Sequence, residues 1–435
     1  MSAKKPSYVR RGAAWIACHE IWLVILGVLL ASASIRFALW GLGLLVGMWL
    51  IRWVGYGRPT LQTPVDWPVV ILLGMGGITW WVTADQDATF LALSRLLAGV
   101  SLMYSLVNWA TTRTRLLLIL WGGTLSALVL ALATPLLIPR QNFTPFLSWY
   151  ARLPHLEDPL NPNMVAGALV MLLPFPLAGG ILLLKWKLAS LTKRRFSVPM
   201  VRFLQLWRMV SIPTTLVLLG GLFFTQSRGA WLATGGVGFI IGVGLTPLFL
   251  AVLLLPMLGG GWLIWQGRFM GFLDALGSGG GIVGWAQRVE IWSRALYIIQ
   301  DFPFTGAGAN TYSQVVSVLY PLFLVPPTTV IPHAHNLFLQ VAIDLGIPGL
   351  IAFIAIVLSV FFCAARCVRH CAADPIRQAA AWAGMASLTA MLIHGLVDAT
   401  TWIVGWGAPL PWLMFGLILA TALHNDSDVL IDTPD

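Results

Sequence analysis

Long apolar runs, separated by short polar or basic turns, follow one another from residue 18 to residue 423. A membrane-crossing helix needs about 20 predominantly apolar residues. The pattern predicts twelve spans, over residues 18–34, 37–54, 67–83, 89–110, 116–137, 164–184, 209–226, 230–246, 248–266, 337–364, 379–398 and 403–423. A membrane β-barrel would show alternating segments of about ten residues, and the chain has none. The expected fold is an all-α polytopic membrane protein, with residues 1–435 forming a single integral membrane domain.

Two outer loops interrupt the runs. The first covers residues 138–163 and holds Arg140, Arg152, His155, Glu157 and Asp158. The second covers residues 267–336. A connection of that length without secondary structure is uncommon unless it is functional. Within it Trp285, Val289, Trp292, Leu296 and Ile299 recur at helical spacing, which predicts an amphipathic helix at the outer membrane surface or capping the bundle.

Composition narrows the class. Hydrophobic residues make up 58% of the chain and charged residues only 10%; mean hydropathy is +0.84. A soluble domain carries roughly 25% charged residues, so a soluble enzyme or a nucleic-acid-binding domain is excluded. The net charge of +10 has a different origin. With the N-terminus cytoplasmic, 18 of the 26 Lys and Arg fall in inner segments, seven in outer ones, and Arg95 within a span. Cytoplasmic loops carry such an excess, so both termini are expected on the cytoplasmic side. Lys4, Lys5, Arg10 and Arg11 precede the first run without a small-residue cleavage site, which reads as a signal anchor. The four cysteines, Cys18, Cys363, Cys367 and Cys371, all avoid the outer loops, so no disulfide framework is expected. No phosphate-binding glycine loop is present.

Candidate chemistry gathers on the outer side. Arg228, in Ser227-Arg228-Gly229-Ala230, occupies a tight turn between two apolar spans. A cation there is costly and calls for an anionic partner, and a guanidinium matches a phosphate bidentately. Snorkelling to the interface is the plainer alternative. Arg288 stands at the start of the loop helix, where a solvated helix face would also suit it. His333 and His335, in Ile331-Pro332-His333-Ala334-His335-Asn336, precede a span and are candidate general bases. Asn336 is placed to cap the helix that follows. Asn161-Pro162-Asn163 opens the sixth span. Asp85 and Asp87 form a DxD that would either hold a metal or cap the next helix. His394 and Asp398, one turn apart, would line the same cavity.

These residues together resemble the O-antigen ligase and O-antigen polymerase superfamily. The likeness rests on Ser227-Arg228-Gly229-Ala230, Arg288 with Trp292, Pro303-x-x-Gly306-x-Gly308, and His335-Asn336-x-x-Leu339 continuing to Asp344-x-Gly346-x-x-Gly349, together with Asn161-Pro162-Asn163. Asp344 stands where the family more often has Glu. The resemblance implies an inverting, metal-independent and cofactor-free glycosyltransferase of the bacterial inner membrane. Its site would face the periplasm. The donor would be a glycan on undecaprenyl pyrophosphate, and the acceptor a sugar hydroxyl of lipid A core or of a growing polysaccharide. Arg228 and Arg288 would bind the pyrophosphate, His335 and His333 would serve the acceptor, and Asn336 and Asn163 would contact substrate. The rival expectation is a polytopic transporter, for bicarbonate or another small solute, with Arg95, Asp344, His394 and Asp398 along its pathway.

Overall fold

The computed structural model describes residues 8–143, 158–185, 197–246, 254–268, 285–326, 329–371, 374–403, 405 and 407–424. Arg152, His155 and Glu157 of the first outer loop, and residues 269–284 of the second, lie outside the described residues.

The described residues form α-helices and one short 3-10 turn, with no strands among them. In chain order the helices are α1 (Tyr8–Cys18), α2 (Glu20–Ala33), α3 (Ile35–Tyr56), α4 (Asp66–Val82), α5 (Gln86–Trp109), α6 (Arg113–Leu137), α7 (Pro162–Leu172), α8 (Pro174–Lys185), α9 (Val198–Thr225), α10 (Arg228–Leu245), α11 (Leu254–Trp265), α12 (Trp285–Asp301), α13 (Tyr312–Leu319), α14 (Leu337–His370), α15 (Pro375–Gly395) and α16 (Pro409–Leu423). Each apolar run seen in the sequence contains helix in its described part, though the last two fall short of the expected bounds, α15 ending at Gly395 and α16 starting at Pro409. Six helices among the described residues are long and apolar enough to cross a membrane, or seven if α1 and α2, bent by 65° at their junction, count as one. Three shorter apolar helices accompany them, at Asp66–Val82, Arg228–Val243 and Pro409–Leu423.

Helix starts follow from local side-chain chemistry. Asp85 accepts from Ala88 N at the head of α5, Thr112 from Arg115 N at α6, and Asn161 from Asn163 N at α7. Asp374 accepts from Ile376 N and Arg377 N at α15. Each side chain satisfies an amide that the helix itself cannot. Helix α5 lies at the centre and packs on α2 and α16. Gly99 on α5 leaves space that Trp412 fills, since a Cβ there would sit 2.1 Å from the indole Cδ1. Close helix approach at small residues is how bundles pack in a membrane.

The long helix α14 is broken at Gly346, whose φ of 68° no ordinary side chain adopts readily. The Pro303–Gly308 turn fits into this break. Ile347 N donates to Pro303 O at 2.7 Å, and Ala307 N to Ile343 O at 2.7 Å. A Cβ on Gly306 would lie 2.6 Å from Ile343 O, and one on Gly346 2.8 Å from Phe304 O. Two motifs far apart in the chain therefore interlock through their glycines. This joint ties the segment between α12 and α14 to the bundle.

The predicted loop helix exists as α12, and its buried face keeps part of the expected stripe, since Trp292 and Ile299 pack against a small second core. Ile291, Ala295 and Ile298 are buried, whereas Val289 and Leu296 are about half exposed. The reason is the packing partner. Tyr312, Val315 and Val316 of α13, with Val325, Ile331, Ala334 and Ile343, close over the Ile291 side and form a small second core.

Candidate functional site

The turn before α14 holds both histidines. His335 has φ of 48°, so the chain reverses within three residues and both imidazoles turn inward. They are buried, with ring centroids 4.4 Å apart. Five hydrogen bonds fix the turn. His335 N donates to His333 Nδ1 at 3.2 Å, and Ala334 N donates to Gln340 Oε1 at 2.8 Å. Asn336 accepts from Phe338 N and Leu339 N, and its Nδ2 donates to Leu396 O at 3.0 Å. The carboxamide of Asn336 is thus engaged at both ends, as helix cap and as tie to the chain after α15.

That chain segment, His394–Thr401, is where the site converges. Asp398 places Oδ2 3.6 Å from His335 Nδ1 and Oδ1 3.9 Å from His333 Nε2. Thr400 N donates to Asp398 Oδ1 at 2.9 Å. From α12, the Arg288 guanidinium donates to Val397 O. From α10, Gly229 lies against the same segment: a Cβ there would meet Val397 Cγ2 at 2.6 Å and His394 Cδ2 at 3.5 Å. Arg228, half-buried at the first turn of α10, is next to that contact. From α7, Gly167 faces His394, Thr400 and Thr401, with Cβ distances of 3.1–3.3 Å. Asn163, one turn earlier on α7, shares that helix face.

Electrostatics follow from burial. His333 is pushed down to about 4, chiefly because burial penalises the imidazolium, with Asp398 opposing. It is therefore neutral across the physiological range. Burial likewise lowers Arg288, again against Asp398. Six of the twelve buried side-chain polar atoms without a hydrogen-bond partner, among the described residues, belong to this cluster. They are His335 Nδ1, both ring nitrogens of His394, Asp398 Oδ2, Thr400 Oγ1 and Thr401 Oγ1. Such groups are rare in a folded protein and costly, and here half of them sit together.

His333, His335 and Asp398 also bring three potential metal ligands within 4.8 Å of one another. The tautomer argues against that use. His333 Nδ1 accepts from the His335 amide, so the neutral ring carries its proton on Nε2, the atom that would have to bind the metal. That N–H points to Asp398 instead.

Asp344 and Asp85 have structural partners. Asp344 accepts from Asn310 N, Gln340 Nε2 and Trp402 Nε1 at 2.9–3.1 Å, and so fastens α14 to the outer turn and to the α15–α16 connection. Asp85 caps α5 and accepts from Gln314 Nε2. Arg95 donates to Ser32 O at the end of α2. His394 and Asp398 stand with the histidine pair, while Arg95 and Asp344 serve other contacts.

Sequence reasoning singled out Arg228, Arg288, His333 and His335, and the structure brings them around one segment. It left the roles of Asp398 and His394 open and did not single out Thr400 or Thr401. The spacing of His394 and Asp398 at the end of a span was the available signal.

Histidine, carboxylate and guanidinium groups thus form a buried polar cluster within a bundle of apolar helices. Residues 213–354 match the family described as O-antigen ligase, and this supports membership of the O-antigen ligase superfamily. The matched stretch runs from within α9 into α14 and includes Arg228, Arg288, the Pro303–Gly308 turn, both histidines and Asp344. No curated protein matches the chain. At the family level the match supports an enzyme of the ligase type in polysaccharide biosynthesis.

Proposed function

We propose that this protein is an inverting glycosyltransferase of the bacterial inner membrane. It moves a glycan from an undecaprenyl-pyrophosphate carrier to a sugar hydroxyl, on lipid A core or on a growing polysaccharide, at the periplasmic face. The observation that carries this reading is the convergence of His333, His335, Arg288 and the Arg228 turn on His394–Thr401. The twelve-span topology with both termini cytoplasmic belongs to the same proposal, and puts this cluster at the outer face.

Asp398 facing His335 Nδ1 favours the tautomer with its proton on Nδ1, which leaves Nε2 to take a proton. The acceptor hydroxyl gives its proton to Nε2 as its oxygen attacks the anomeric carbon from the face opposite the leaving group. The bond from that carbon to the phosphate oxygen breaks, and its electron pair leaves with the pyrophosphate. Charge then develops on the leaving group, where Arg228 and Arg288 stabilise it without reorganisation. Asp398 stabilises the imidazolium formed. The Thr400 and Thr401 hydroxyls and the His394 ring both donate and accept, which matches sugar hydroxyls and contrasts with the one-sided donor set that phosphate requires. Asn163 lies on the α7 face that borders this group.

The test is transfer from purified lipid-linked glycan to acceptor by the detergent-solubilised full chain. Transfer that persists in EDTA is expected. Loss on chelation with recovery in Mg²⁺ or Mn²⁺ would overturn the metal-free mechanism. Solute uptake by proteoliposomes with no transfer would replace the reading by a transporter.

A further inference from the structure

Between Asp301 and Asp344 the chain runs for 42 residues without an Asp, Glu, Lys or Arg. This stretch contains the Pro303–Gly308 turn, α13, the segment to Val330 and the histidine turn. An aqueous loop of that length would carry about ten charges at ordinary composition.

The polarity of its fold is reversed. One side packs on α12 through Tyr312, Val315, Val316 and Val325. Glu290 and Arg294 of α12 lie beneath it. Glu290 accepts from Phe323 N at 2.7 Å and Leu324 N at 2.9 Å. Arg294 donates to Pro321 O, lies over the Phe323 ring, and pairs with Glu290 at 3.7 Å. The side chains of Glu290 and Arg294 are only 9% and 18% exposed. Outside them Phe323 is 77% exposed, Val318 76% and Val330 76%, with Leu319 and Leu324 more than half exposed. Polar groups inside and apolar groups outside suit a hydrocarbon surround. A soluble protein seldom leaves such a patch bare.

The patch joins the lipid-facing surface of the bundle. Tyr320 donates to Asp301, which holds the end of α13 beside the Pro303–Gly308 turn. That turn bonds Ile347 N of α14 and presents Phe304, itself exposed. Ile347 and Ile351 continue the exposed apolar surface down α14.

We propose that α13 with residues 320–326 and 329–330 forms a ledge embedded in the outer leaflet, with phospholipid acyl chains as its partner. It ends at Ile331-Pro332-His333, so the leaflet reaches the edge of the histidine turn. A lipid-linked glycan would then approach the site from the bilayer. The ledge rests on the membrane reading of the chain and stands whether or not the glycosyl-transfer reading does.

The experiment is spin-label accessibility on the full chain in nanodiscs of phosphatidylethanolamine and phosphatidylglycerol. A nitroxide is placed at Phe323→Cys, after the four native cysteines are changed to alanine. Gln314→Cys, on the polar side of α13, serves as reference. At Phe323→Cys, collision with oxygen should exceed collision with a water-soluble nickel chelate, with the order reversed at Gln314→Cys. A nickel-accessible label at Phe323→Cys would mean an aqueous loop and overturn the ledge. A label shielded from both reagents would mean that protein, such as a second copy, covers the patch, and would overturn it too. Val330→Cys and Leu319→Cys repeat the measurement if Phe323→Cys does not elute as a folded species.

Discussion

The Asp398 carboxylate stands 3.6 Å from His335 Nδ1, across the junction between the start of α14 and the end of α15. The same carboxylate lies 3.9 Å from His333 Nε2, so one acid faces both imidazoles. Asp398→Asn keeps the shape and removes the charge. Transfer should fall on the order of 100-fold or more, the scale of a lost general base, while the KM for donor stays near wild type. Because the pair acts as a unit, Asp398→Asn added to His335→Ala should cost little further. Rate measurements on the two single variants and the double variant decide it. Effects that multiply would show that the two residues work separately.

The unpartnered hydroxyls of Thr400 and Thr401 make opposite predictions for stability and for activity. Thr400→Val and Thr401→Val keep the shape and remove a buried polar atom that lacks a partner. An unsatisfied buried hydroxyl costs about 1–3 kcal/mol, so each variant should melt at or above the wild-type temperature. Transfer should nonetheless decline through a higher KM for the saccharide. Thermal unfolding in detergent and steady-state kinetics read the two effects apart. Variants that are more stable and fully active would mark the hydroxyls as packing atoms only.

Arg288 reaches the His394–Thr401 segment from α12, and Arg228 stands at the head of α10 beside Gly229, which packs on the same segment. A fixed guanidinium aimed at developing charge contributes about 2.7–4 kcal/mol. Arg228→Ala and Arg288→Ala should therefore each slow transfer on the order of 100- to 1000-fold. Lysine should restore part of the rate, because it keeps the charge and loses the planar fork. Well-expressed alanine variants with ordinary transfer would remove the arginines from the mechanism.

Acid should weaken the fold through His333. Its imidazole titrates near 6.5 when unfolded and at about 4 when folded, so the unfolded chain binds the extra proton first. The stabilisation is present above pH 6.5 and is lost as pH falls from there toward 4. Its upper size follows from 1.36 kcal/mol per pKa unit, ~3 kcal/mol in all. Melting temperatures measured from pH 7.5 to 4.5 should fall more steeply for wild type than for His333→Gln. Parallel curves would place the titration elsewhere.

Local patterns were legible in the sequence because they depend on near neighbours. Apolar run length places the helices. Side chains one turn ahead set their starts, as Asn336 does for α14 and Asn161 for α7. The Arg228 turn and the His333–His335 pair stood out because polar groups at the ends of apolar runs are few. The α12 stripe shows the limit. Helical spacing identified a helix there, but the face that became buried was the one that α13 and Ile331 happened to cover.

Which acid lies beside the histidines was decided only by tertiary packing. Asp344 and Asp398 are both carboxylates within or at the end of apolar runs, and composition treats them alike. The break at Gly346 turns Asp344 toward Asn310, Gln340 and Trp402, which satisfy it. The chain past α15 carries Asp398 to His333 and His335. A periodic sequence determines that a helix forms and which residues share a face. The partner that face meets depends on contacts between residues far apart in the chain, and only the folded bundle decides them.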